Sequence, residues 1–108
     1  MNKVILTGRL TAQPEIRQTQ SGTAVCSFTV AVNRKFSDKN NRETDFINCT
    51  AWAKTAEFIS RYFTKGQMIC LEGEIRTGSY QDKNYPDITH YTTEILVSGV
   101  EFSGSKSE

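Results

Sequence analysis

DFINCTAWAK, residues 45–54, decides how the rest of the chain is read. With a period of two it has unlike faces. Ile47, Cys49 and Ala51 share one parity, and Phe46, Asn48, Thr50 and Trp52 share the other. Strand side chains alternate between faces, so a core that takes the small apolar set leaves two large aromatics pointing outward. Paired rings on the wet face of a sheet work against solubility, yet they suit the stacking of something planar.

On either side of this strand the chain alternates between strand-like and polar segments. Residues 34–44, RKFSDKNNRET, read as a polar hairpin loop dense in Lys and Arg, with Phe36 alone in it. Before it, Val25–Asn33 alternates cleanly, with Cys26, Phe28, Val30 and Val32 inward and Ser27, Thr29, Ala31 and Asn33 outward. Residues 11–24 are polar and turn-like, broken at Pro14 and Gly22. Lys3–Leu10 opens the chain as a strand with Val4, Leu6 and Leu10 on one parity. Gly8 within it suggests a bulge or sharp coiling, and Ile5 on the other parity suggests an intermolecular contact.

Downstream, residues 55–63 carry the one helical pattern. Ala56, Ile59 and Phe63 lie on one face, and Phe58 and Tyr62 pair at i, i+4. Lys65-Gly66 follows as a C-terminal stop with Gly in a left-handed cap. Met68–Tyr80 returns to strand, with Ile69, Leu71 and Ile75 on the core parity and Gly73 as a kink. Residues 81–89 form a loop broken at Pro86. His90–Val100 is the last strand, with Tyr91, Thr93, Ile95 and Val97 on one parity. Three strands, a helix and two more strands is the element order of an OB-fold, an all-β five-stranded Greek-key barrel with one short helix closing an end. A small sandwich gives such an isolated helix no role.

With 108 residues the chain holds one domain, expected over residues 1–102, and residues 103–108, SGSKSE, read as a short disordered tail. Thirteen basic against 12 acidic residues give a formal net charge of +1, so any basic surface must be a local patch. No apolar run approaches the length of a membrane span and no charged-then-apolar leader is visible, which predicts a cytoplasmic protein. Cys26, Cys49 and Cys70 are widely spaced and lack CxxC spacing. They read as free thiols of a reducing compartment, and with a single histidine they are too few and scattered for zinc. No metal or cofactor is expected.

Catalysis is not expected either. His90 sits in a strand rather than beside a nucleophile, Glu72 and Glu74 flank a glycine without a partner motif, and no Walker loop, GxSxG or HExxH occurs. A binding surface fits better. Phe36, Phe46, Trp52 and Tyr80 are aromatics left unburied by parity or loop context, and Arg34, Lys35, Lys39, Arg42, Lys54 and Arg76 lie around them in sequence. Each ring stacks a base for roughly 1–3 kcal/mol while cations track phosphates, a combination that tolerates any sequence. A duplex hides its base faces, so the arrangement favours single strands.

NKVILTGRL (2–10), DFINCTAWAK (45–54), YFTKG (62–66), LEGEIRTGSY (71–80) and YTTEI (91–95) together resemble, in order, the bacterial and phage single-stranded DNA-binding (SSB) family. The resemblance covers Asn2–Val100. It implies an OB-fold and a homotetramer built from dimers that meet through the first strand. It further implies single-stranded DNA wrapped without sequence preference in replication, recombination and repair. It places stacking at Phe36, Phe46, Trp52 and Tyr80, and phosphate contacts at Lys3, Lys39, Lys54 and Lys65. Phe36, Phe46 and Tyr80 resemble positions that hold tryptophan in the family, Gly78 and Ser79 stand where relatives carry basic residues, and Asn48 replaces a common Arg. Binding is therefore expected to be weaker or more salt-sensitive than that of a Trp-rich relative. The family's acidic, partner-recruiting tip has no counterpart in residues 103–108, so tail-mediated recruitment is not expected of this stretch. The second reading is a short accessory OB-fold protein of the primosomal type, dimeric and helicase-loading. The full set of aromatic positions and YTTEI resemble the SSB family more.

Overall fold

Period-two alternation builds most of this chain into strands. The computed structural model describes residues 1–35 and 43–102. Its elements run β1 (Val4–Leu10), β2 (Glu15–Gln18), β3 (Ala24–Asn33), β4 (Thr44–Trp52), α1 (Ala53–Tyr62), β5 (Met68–Gln81) and β6 (Thr89–Phe102). The sheet order is β1-β5-β6-β4-β3, and β1 turns back onto β3 through Arg9↔Ala31 and Leu10↔Val30, which closes a ring of five strands. All of these pairings are antiparallel except β4 with β6. The inward parities meet as a core of Cys26, Phe28 and Val30 from β3, Cys49 and Ala51 from β4, Ile69 and Leu71 from β5, and Ile95 and Val97 from β6. From α1 and its end, Ala56, Ile59 and Phe63 join that core.

Two glycines let the ring close. A Cβ at Gly8 would stand 2.5 Å from the Ala31 carbonyl oxygen, at the point where β1 leaves β5 and crosses to β3. At Gly73 it would collide with the Leu96 carbonyl, and here the β5–β6 register shifts. Both features fit the coiling and kink expected at these glycines.

Three expectations need correction. Within residues 11–24 lies a further strand, β2, paired to β3 from Glu15↔Ser27 to Gln18↔Ala24. All four of its side chains are exposed, so no buried face imposes the alternation by which strands are recognised. Gly66 does not cap the helix. The helix ends at Tyr62 with Phe63 extended, and Gly66, at φ 84°, belongs to the following turn, where Gln67 N–H donates to the Thr64 carbonyl. Ile75 is exposed at 45% rather than part of the core. β5 and β6 stay paired out to Gln81↔Thr89, whereas β1 covers β5 only from Met68 to Gly73. The two strands outrun their neighbours as an arm, and parity alone no longer decides burial there. Asn2 extends the cover to Ile75: its amide donates to the Ile75 carbonyl (2.9 Å) and accepts from the Ile75 N–H (2.8 Å). Phe36, Lys39 and Arg42 of the hairpin, and the tail at 103–108, lie outside the described residues.

Candidate nucleic-acid interface

The outward face of β4 has the character that its sequence predicts. Phe46 and Trp52 are 67% and 44% exposed, while Cys49 and Ala51 behind them are buried. The β3–β4 register sets the small Ala31 beside Phe46, Ser27 beside Thr50 and Val25 beside Trp52. Thr29 Oγ1 donates to Asn48 Oδ1 at 3.1 Å. On the other side, the parallel register Thr50↔Leu96 brings Glu94 onto the same face, where Thr50 Oγ1 donates to its carboxylate at 2.5 Å. That contact is why Thr50 is buried despite its outward parity.

From Glu94 the face continues along the arm through the pairs Arg76↔Glu94, Gly78↔Thr92 and Tyr80↔His90. Tyr80, 59% exposed, thus shares one continuous sheet face with Phe46 and Trp52. Between them runs a shallow groove lined by Ser27, Thr29, Asn48, Thr50, Thr92 and Glu94. Its floor offers hydroxyls and an amide, with one carboxylate, and the rings stand around it.

Tyr80 is itself held. Its ring stacks on His90 with centroids 5.0 Å apart and an interplanar angle of 29°. The imidazole Nε2 hydrogen-bonds Asp82 Oδ2 at 2.9 Å. The other Asp82 oxygen accepts the backbone N–H groups of Asn84 (2.9 Å) and Tyr85 (3.1 Å). The bond to His90, aided by the Asn84 N–H, holds the Asp82 carboxyl below the usual carboxylate range.

The cations differ in their partners. Arg34 grips Asp45 with two nitrogens (3.2 and 3.0 Å) and Glu43 at 2.6 Å, across the base of the hairpin. The hydrogen bond to Asp45 raises the guanidinium's pKa and, reciprocally, lowers that of Asp45. Lys3 pairs with Glu72 at 2.8 Å, and Arg76 pairs with Glu74. These are exposed pairs, worth little in water and easily exchanged. Lys54, just past Trp52, and Lys65, just past α1, are exposed and meet no carboxylate within ion-pair distance among the described residues. Lys35 is exposed at the hairpin's base. Phe36 and Lys39 are not among the described residues.

Cys26 and Cys49 are buried and Cys70 half-buried, all as free thiols. Burial, reinforced by Glu94, pushes the Cys49 thiol up to about 12. Parity misleads at Tyr91. Tyr91, 83% exposed, pairs with Ser79 and so faces away from Tyr80 across the arm. It shares parity with the buried Ile95 and Val97, which disguises it. Nothing in its own neighbourhood signals that the strand has already left the ring.

Residues 1–103 match the family model described as the Single-strand binding protein family. Among curated proteins the chain is 48% identical over 106 residues to a single-stranded DNA-binding protein of Clostridium perfringens, covering 97% of this chain and 67% of that one. It is 42% identical over 108 residues to single-stranded DNA-binding protein 2 of Listeria monocytogenes, covering 99% and 66%. With single-stranded DNA-binding protein 2 of Streptococcus agalactiae it shares 45% over 108 residues, covering 99% and 80%. The chain spans about two thirds of the length of the first two. No helix among the described residues is long and apolar enough to cross a membrane.

Proposed function

The chain belongs to the single-strand binding protein family, and on that footing we propose that it binds single-stranded DNA without reading its sequence. The five-stranded ring is the OB-fold that membership implies. The observation that carries the reading is the placement of Phe46, Trp52 and Tyr80 on one exposed face. Every base has a flat face to lay on such a ring, and the polar groove between them accepts base edges without demanding one pattern. Phe36 of the hairpin joins the stacking set on sequence grounds.

Phosphates are taken by Lys54 and Lys65, which meet no carboxylate among the described residues, and by Lys35 and Lys39 of the hairpin. Lys3, Arg34 and Arg76 serve by exchanging carboxylates for phosphates. Each contact releases counterions, so affinity falls as salt rises. The protein acts without catalysis or cofactor in the bacterial cytoplasm, covering single strands during replication, recombination and repair. It works as a homotetramer whose dimers meet through β1.

Trp52 is the sole tryptophan and reports on the site directly. Titration with oligo-dT is expected to quench its fluorescence to saturation, while duplex DNA leaves it nearly unchanged. Trp52→Ala, followed by filter binding, should weaken oligo-dT binding about tenfold or more, as loss of one stacking platform does. Equal quenching by duplex and single strand, or wild-type affinity in the variant, would overturn the assignment.

A further inference from the structure

Tyr80 lies on a two-stranded arm with no third strand beside it among the described residues, where an exposed ring should wander among rotamers. It does not stand free. One of its faces lies on the His90 imidazole, and His90 is tied through Nε2 to Asp82. Asp82 is fixed in turn: its side chain binds two backbone N–H groups of the turn, and its own N–H donates to the Ile88 carbonyl at 3.0 Å. The chain of support runs from turn backbone to carboxylate to imidazole to phenol ring.

We propose that His90 is a positioning residue for base stacking: clamped to Asp82, it backs one face of Tyr80 and leaves the other turned toward a nucleobase. The role rests on the single-strand reading above. Ordering a free side chain on binding costs affinity, and a backstop that orders it beforehand restores it. Oligo-dT presents flat bases of one kind and is the probe.

The experiment measures oligo-dT affinity of the full chain by Trp52 quenching for wild type, His90→Ala, His90→Phe, Tyr80→Ala and the Tyr80→Ala/His90→Ala double variant, with melting curves as a folding control. His90→Ala is expected to weaken binding about three- to tenfold, and that loss should vanish in the Tyr80→Ala background, because the two residues act as one unit. His90→Phe should recover most of the affinity, because another ring can back Tyr80 where His90→Ala leaves its face open. A His90→Ala loss that persists undiminished without Tyr80 would mean that the imidazole touches DNA itself and overturns the role. Wild-type or tighter binding by His90→Ala overturns it too, the latter because the imidazole would then be blocking the stacking face. In both cases Tyr80→Ala still weakens binding and the single-strand reading stands. Failure of the wild type to bind oligo-dT at all would sink both together.

Discussion

Asp45 shows how one side chain can serve both the hairpin and the proposed interface. It precedes Phe46 on β4 and receives two nitrogens of Arg34, which also reaches Glu43. The guanidinium therefore ties the two ends of the hairpin that carries Phe36, while Arg34 N–H donates to the Glu43 carbonyl. Because the hydrogen bond from Arg34 holds the Asp45 carboxyl below its ordinary value of 3.8, the sign of the pH effect follows. The stability that this pair contributes is complete above the unfolded-state value and fades as the pH falls through the lowered one. Asp45→Asn should thus melt at a lower temperature than wild type at neutral pH, by a small margin since the pair is exposed. The gap should close as the solution is acidified. Thermal melts across the acid range check this, and a gap that stays constant with pH would show that Asp45 stabilises through something other than its charge.

The joint between β4 and α1 is the most constrained element boundary. Trp52 ends the strand and occupies the helix N-cap position without any side-chain hydrogen bond to the helix, and Ala53 follows at φ 54°. An alanine in the left-handed region carries roughly 1 kcal/mol of strain that glycine avoids. Ala53→Gly is expected to stabilise the chain by about that amount, a rise in melting temperature of about 4–8 °C for a domain of this size. A lower melting temperature would mean that the glycine's added freedom in the unfolded chain outweighs the strain. That joint was invisible in the sequence, where Trp52, Ala53 and Lys54 read as one continuous strand. The long strands were plain because their buried faces impose alternation: Cys26, Phe28 and Val30, then Ile47, Cys49 and Ala51, announce both the strand and the side that meets the core. β2 was hidden for the opposite reason, since Glu15, Ile16, Arg17 and Gln18 bury nothing and are held by backbone pairing alone. The stacking set could be chosen from parity at Phe46 and Trp52. The backing of Tyr80 by His90 could not, because it depends on a cross-strand register between residues with nine others between them.

Taken as one molecule, the ring exposes an isoleucine that no other described residue covers. Ile5 is 68% exposed on the outer parity of β1. It sits in a shallow depression with Cys70, Gly99 and Val100, rimmed by the carboxylates of Glu72 and Glu101, away from the β4 face that carries Phe46 and Trp52. A contact there between two copies would bury these side chains while leaving both stacking faces open. A single strand could then pass from one subunit to the next, and each added subunit would raise the local concentration of the remaining sites. Assembly through β1 and tight binding of long single strands are therefore linked in the proposed tetramer, while binding of a short oligonucleotide to one subunit's face depends on the rings alone. Light scattering on the wild type should give about four times the 12.2 kDa chain mass. Ile5→Asp, which replaces the apolar side chain by a third carboxylate beside Glu72 and Glu101, should lower that mass and weaken binding to long oligo-dT by about tenfold or more, yet change binding to an oligomer of a few nucleotides little. A wild-type dimer would instead favour the accessory, helicase-loading type of OB-fold protein. An Ile5→Asp variant that keeps the full mass would remove β1 as the place where copies meet.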